Sequence, residues 1–366
     1  MILHRYILKE ELPPFLLGIG VLTVILLMNQ FFLMVWDIIG KGVKPIQIAR
    51  VLLYSLPFIF VFTIPMGIFI AHLMAFGRLN QDFELLALKG CGVHPMKISI
   101  VPFTLSLIVT GGVFYLTNHV VPDANFKLRK LLYTIAYEKP TYRIKPRVIF
   151  SELPDYDLYV LEVEHKTGHL EGVTIFEKVS PYRTIVAREG YLYSRDSILV
   201  LQLIDGEIHT VDENGYQKVS FPKYVLRVSL EAKTKYHGAR HRTDSELSLS
   251  GIKQRIVEIK RGKGSTEYKR LRVNRLMVEY HKKLALAFSP VVLTVLGLGI
   301  ALSLRKVGAG LSFGIALPFF IFYYVCLVGG ETLGDRGIVA PWLSMWFANI
   351  TLGAVGVCLF IRNLCR

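Results

Sequence analysis

Residues 78 to 95, RLNQDFELLALKGCGVHP, carry the densest set of features able to meet a partner. Asn80 or Asp82 can cap a helix start, Gly90 or Gly92 can stop it, and Leu79, Phe83, Leu86 and Ala87 then share one face. A short amphipathic helix of this kind suits docking into a groove on another protein, and it equally suits an interfacial helix resting on lipid. Covalent chemistry is harder to find. A P-loop needs GxxxxGK followed by Ser or Thr, so that backbone amides and a lysine cradle phosphates. The nearest string, Gly262-Lys263-Gly264-Ser265-Thr266, lacks the upstream glycine and reads as a turn. No nucleophile elbow, zincin motif or catalytic carboxylate pair occurs, so the chain is expected to be no enzyme and to carry no cofactor. Cys91, Cys326, Cys358 and Cys365 show no metal-site spacing with histidine, and none falls between residues 119 and 283.

The elements that must position this loop are membrane spans. Six charge-free stretches, Phe15 to Trp36, Val51 to Gly77, Ile98 to Asn118, Leu284 to Leu304, Val307 to Gly330 and Gly337 to Ile361, run 22, 27, 21, 21, 24 and 25 residues. A hydrocarbon core about 30 Å thick takes roughly 20 helical residues, so each can cross. With 52% hydrophobic residues and a mean hydropathy of +0.43, the chain is not a simple soluble enzyme. Arg5 and Lys9 precede an apolar run too long for a signal peptide, so that run is expected to remain as the first helix. The six stretches contain no acid; Asp37 and Glu331 lie at their ends. His72 alone is ionisable well inside a span and reads as a hydrogen-bonded histidine. Energy for any transport would then come from elsewhere. Gly67, Ala71 and Ala75 recur every fourth residue and Gly310 and Gly314 form a GxxxG, a spacing that lets helices approach closely within this chain or against a partner.

Between the third and fourth spans lie 165 residues, His119 to Lys283, holding 30 of the 43 Lys and Arg and 21 of the 28 acids. Alternating apolar residues predict strands over 147–153, 158–164, 172–179, 184–193, 198–204, 207–211, 217–221 and 224–230, with breaks that include Asp205-Gly206 and Pro222. This is the pattern of an antiparallel sandwich or open barrel, flanked by helices over 123–137 and 250–283. Leu201 and Leu203 are expected on one face of their strand and Val200 on the other. The formal net charge of +15 points to a membrane surface or anionic lipid rather than nucleic acid. Short loops place nine Lys and Arg on the side of the termini against four opposite, so both termini are expected in the cytoplasm and residues 119–283 outside it. The 11 Lys and Arg within 253–283 pull the other way.

The opening Arg5-Tyr6-Ile7 with Glu10, the run GRLNQDFELLALKGCGV, the three-plus-three layout around a β domain, and HKKLALAFSPVVLTVLGLGIAL entering the fourth span together resemble the LptF/LptG family of lipopolysaccharide export permeases. The resemblance covers nearly the whole chain. It implies an inner-membrane protein of six helices with an inserted, jellyroll-like periplasmic β domain. The domains would be 1–118 with a coupling helix at 78–95, then 119–283, then 284–366. It further implies pairing with a second permease of this type, an LptB-like ATPase dimer that hydrolyses ATP, and delivery of lipopolysaccharide to LptC- and LptA-like jellyroll proteins. Carried over by position, Asp82, Phe83, Glu84, Leu86 and Ala87 would face the ATPase, with Glu84 as the coupling carboxylate. Lys41 and Lys44, with Lys282 and Lys283 at similar depth, would meet lipid headgroups. The residues themselves leave open a permease of another ATP-driven lipid or lipoprotein exporter, or a membrane-anchored β-domain scaffold.

Overall fold

Among the described residues of the computed structural model, six helices are long and apolar enough to span a bilayer, over Ile2–Phe32, Pro45–Gln81, Pro95–Ile135, Thr266–Ser303, Gly310–Asp335 and Pro341–Leu364. The structure describes residues 2–38, 45–138, 144–151, 155–164, 167–178, 183–195, 198–212, 215–229, 242–262, 265–303 and 309–364. Helices α1 (Ile2–Ile38) and α2 (Pro45–Gln81) are followed by the short α3 (Glu84–Gly90). Helix α4 (Pro95–Tyr115) continues through a π turn, Leu116–Val120, into α5 (Val121–Glu138). After the β strands come a 3₁₀ turn (Asp244–Glu246), α6 (Leu249–Arg261), α7 (Thr266–Ser303), α8 (Ala309–Asp335) and α9 (Pro341–Leu364). The chain divides into two compact units, residues 1–28, 55–125 and 243–366 in one and 29–54 and 126–242 in the other.

In the first unit, α2 and α7 form the centre: 72% of the span of each is buried, against 11% for α1. Phe69, Leu73 and Phe76 of α2 share one apolar cluster with Leu293, Leu296 and Leu298 of α7. Small residues set how closely the helices approach. A Cβ added at Gly67 would come 2.6 Å from Ile19, and Ala71 and Ala75 on the same stripe are buried, so this stripe packs within the chain. Gly310 and Gly314 face outward, with no atom within 4 Å of an added Cβ. Helices α7 and α9 also cross closely: a Cβ on Gly356 would lie 2.7 Å from the backbone N of Leu296.

In the second unit the described strands form one antiparallel sheet, β1 (Tyr156–Glu164), β2 (His169–Glu177), β3 (Arg183–Arg195), β4 (Ile198–Asp212) and β5 (Gly215–Ser229), paired in sequence order. Of the expected strand at 147–153, the described residues 147–151 hold a bridge between Phe150 and Leu158, and 152–153 lie outside the described residues. The expected breaks at Asp205-Gly206 and Pro222 do not end strands, so four predicted segments merge into β4 and β5. Instead, the sheet bears a transverse crease. Each ladder omits one rung, and the omitted positions line up as Leu161, Gly172, Arg188, Asp205 and Pro222 across all five strands. Register is unchanged on both sides: Ala187 faces Gly206, and Glu189 faces Ile204.

The crease shifts the inward phase of every strand by one residue. Inward residues run Val160 then Val163, Leu170 then Val173, Ala187 then Leu192, Leu203 then Ile208, and Phe221 then Tyr224. Two of the five positions in the crease, Gly172 and Asp205, adopt positive φ, 63° and 51°. At Gly206 a Cβ would stand 2.5 Å from both the Val186 carbonyl oxygen and the Phe221 ring, so only glycine fits there. Leu201 and Leu203 do share the apolar face, and Val200, opposite, is also buried. Charge pairs staple the strand ends. Arg183 grips Glu177 through Nε at 2.6 Å and Nη2 at 3.2 Å. Lys178 Nζ lies 2.7 Å from Asp157 and holds that carboxyl below its ordinary range by hydrogen bonding.

Candidate functional site

The loop between the second and third spans is built around a left-handed residue. Helix α2 ends at Gln81, and Phe83 takes φ 59°, which turns the chain before α3 begins at Glu84. A bulky side chain is rarely found there, and such strain concentrates at functional sites. The expected caps are absent: Asn80 Nδ2 donates to the Ala301 carbonyl at 2.9 Å, while Asp82 lies 3.7 Å from Arg78. The expected single apolar face is also divided, because the turn at Phe83 interrupts the helical period. Leu79, on α2, and Leu85 are buried in the core, whereas Phe83, Leu86 and Ala87 are exposed.

The stop signal holds. Gly92, at φ 78°, ends α3 in a Schellman motif with Gly92 N–H donating to Lys89 and Val93 N–H to Leu88. His94 then caps α4, its side chain accepting from the Met96 N–H at 3.2 Å.

Glu84 is half-buried and already engaged. The Tyr6 hydroxyl donates to Glu84 Oε2 at 2.6 Å, and Arg78 Nη2 donates to the same Tyr6 oxygen at 3.2 Å. Arg78 Nη1 also lies 2.7 Å from Glu10 Oε2. Tyr6 and Glu10 are four apart on α1, so one helix face meets both Arg78 and Glu84. This Glu10–Arg78–Tyr6–Glu84 chain fixes the start of α3 and leaves Phe83, Leu86 and Ala87 outward. Sequence reasoning missed Tyr6 and Arg78; their signal was the i, i+4 pair Tyr6 and Glu10 ahead of an otherwise apolar helix.

The second group of expected residues separates. Lys41 and Lys44 lie outside the described residues. Lys282 Nζ binds both carboxylate oxygens of Glu331 at 2.9 Å and stands 3.6 Å from Glu279, so its charge is matched within the protein. Lys283 departs from expectation: it is 4% exposed and donates to the Thr117 carbonyl at 3.2 Å. Its ammonium is turned inward, where the π turn at 116–120 leaves a carbonyl without its usual helical donor. The same turn presents Asn118, whose side-chain oxygen accepts from the Leu249 N–H at 2.8 Å at the start of α6.

His72 is not alone. Its Nδ1 lies 2.8 Å from Glu11 Oε1 and its Nε2 2.9 Å from Thr294 Oγ1, with all three residues fully buried. Glu11 escaped the charge-free count because the count starts at Phe15. Helix α1 nevertheless begins at Ile2 and runs through Pro13 and Pro14.

Two groups of three apolar helices that precede and follow an antiparallel sheet along the chain, with an exposed short helix between the second and third, define a polytopic membrane protein with an inserted β region. The family model for the lipopolysaccharide export system permease LptF/LptG matches residues 5–362, and the chain belongs to that family. It is also 20% identical over 218 residues to the uncharacterized protein RP871 of Rickettsia prowazekii (strain Madrid E), a match covering 59% of this chain. The chain spans 60% of the length of that curated relative.

Proposed function

We propose that this chain is one permease half of an ATP-driven exporter that extracts lipopolysaccharide from the bacterial inner membrane and passes it to a periplasmic bridge. The observation that carries this reading is the exposed Phe83–Leu86–Ala87 surface on α3, held by the Tyr6–Glu84 hydrogen bond, in a chain of the LptF/LptG family. An amphipathic helix too short to be stable alone, yet braced at its start, suits a partner's groove. The partner is an LptB-like ATPase dimer, with Asp82 and Glu84 at the rim of the contact. The energy source is thus on another subunit, and a second permease of this type completes the pair.

In the same reading both termini are cytoplasmic and residues 119–283 are periplasmic, as the nine-to-four loop charge count supports. The sheet, between spans 1–118 and 284–366, takes the role of the jellyroll that hands lipid to LptC- and LptA-like proteins. Lys41, Lys44 and Lys282 serve lipid headgroups, Lys282 sharing its ammonium with Glu331. Lys283 acts by bracing the π turn rather than by contact with lipid.

Purification of the tagged full-length chain in mild detergent is expected to retain an ATPase at fixed stoichiometry. Recovery without any ATPase would favour a membrane-anchored scaffold instead. Protease added to spheroplasts is expected to cut within residues 119–283; protection there, with cytoplasmic cleavage of the same segment in inverted vesicles, reverses the orientation.

A further inference from the structure

We propose that Glu11, His72 and Thr294 form a buried proton-binding site that latches α1 to α2 and α7. The three side chains come from three spanning helices, are each 0% exposed, and are joined at 2.8 Å and 2.9 Å through the two imidazole nitrogens. Glu11 Oε2, also buried, accepts from no donor among the described residues.

A carboxylate and an imidazole this close share a hydrogen. With glutamate and neutral imidazole, Nδ1–H donates to Oε1 and Nε2 accepts from the Thr294 hydroxyl, leaving one net negative charge among apolar neighbours. One further proton, on the carboxyl or on the ring, makes the group neutral, and Nε2–H then donates to Thr294 Oγ1. Binding and release of this proton therefore reverse the Thr294 hydrogen bond and switch the buried charge. The bare Oε2 is tolerable in the neutral state and needs water in the charged one.

Among the described residues, no other charge stands ready to compensate. On α1, Lys9 is exposed and Glu10 is committed to Arg78 of α2. On α7 no Asp, Glu, Lys or Arg lies between Lys283 and Ser303. Phe69 and Gly297, which flank His72, are apolar, and Phe319 of α8 packs on Phe69. The spans of α4, α8 and α9 bring no acid or base between Lys97 and His119, Ala309 and Glu331, or Pro341 and Arg362.

The latch acts on α1 because little of that helix is buried against the rest of the chain. Only 11% of its span is buried, and Ile7 and Glu11 are its fully buried residues near the cytoplasmic network. Releasing the proton leaves a charge that water alone can solvate, and water reaches it when α1 moves away from α2 and α7. This proposal does not require the ATPase contact at α3.

The test is amide hydrogen exchange of the detergent-solubilised full-length chain as a function of pH, corrected for the intrinsic rate. Exchange in α1 around residues 5–12 is expected to rise about tenfold as the site loses its proton, and that rise is expected to be lost in Glu11→Gln, which keeps volume and an acceptor and whose deprotonated site, with a neutral His72, carries no charge. An infrared carboxyl band that titrates over the same range is expected to vanish in that variant. Identical corrected pH profiles in wild type and Glu11→Gln overturn the proposal. Should Glu11→Gln fail to fold, Thr294→Val removes the hydroxyl bonded to Nε2 and is expected to move the midpoint of the exchange profile; an unmoved midpoint overturns it equally.

Discussion

Glu84→Lys is expected to abolish ATP-driven lipopolysaccharide release from proteoliposomes and to strip the ATPase from the purified permease, while the permease itself remains folded. The carboxylate does two things that a lysine cannot. It accepts the Tyr6 hydroxyl at 2.6 Å, and it offsets Arg78, which reaches the same tyrosine. Hydrogen bonds to charged groups contribute roughly 1.5–3 kcal/mol each, and the lysine adds a second cation where one is already balanced. Tyr6→Phe separates the two effects, because it leaves Glu84 available to a partner but removes its internal brace. An intermediate loss of coupling is expected there, since α3 keeps its Leu85 anchor and its Schellman stop. Normal ATPase retention and normal export in Glu84→Lys would sink the assignment of this loop.

The second large effect is structural. Gly356→Val is expected to remove most folded chain from the membrane, with a destabilisation of at least about 3 kcal/mol in a thermal assay of solubilised protein. A Cβ at Gly356 would approach the N and Cα of Leu296 at 2.7 and 2.8 Å, and a Cβ at Gly299 would approach the Gly356 carbonyl at 2.9 Å. These neighbours are backbone, so no rotamer change can relieve the overlap. Gly310→Val supplies the control, because nothing lies within 4 Å of its added Cβ and its surface faces outward. Equal losses from both substitutions would mean that glycine matters here for helix insertion and not for the α7–α9 crossing.

What could be read from the sequence followed the length scale of each signal. Spans were legible because a bilayer demands about 20 apolar residues in a row, a local and continuous requirement. Strands were legible by alternation until Asp205 and Pro222, where the alternation slips. A slip and a turn look alike along one strand, and only pairing with Gly172 and Arg188 distinguishes them. A short helix between the second and third spans was legible, but its exposed face was not, since the positive φ at Phe83 breaks the helical period without leaving a glycine to announce it. Glu11 was passed over for a related reason. Its partner His72 lies on another helix, so nothing in its own neighbourhood marks it as interior, and the Pro13-Pro14 pair reads as an end although α1 continues. Lys283 reads as a surface cation because its acceptor, the Thr117 carbonyl, exists only through a π turn that no sequence pattern flagged.

The aligned row from Leu161 to Pro222 also bears on how the sheet can deform. A single bulge twists one strand against its neighbours, and the mismatch resists bending elsewhere. Four omitted rungs in one line create no such mismatch: each half of the sheet keeps intact ladders, and the two halves meet along a seam that has no interstrand rung to break. Flexing is therefore confined to that seam, so the two panels can open or close on their apolar side as stiff plates, with Leu170, Leu192 and Leu201 on one panel and Val173, Ile175 and Ile185 on the other changing separation without any strand changing partner.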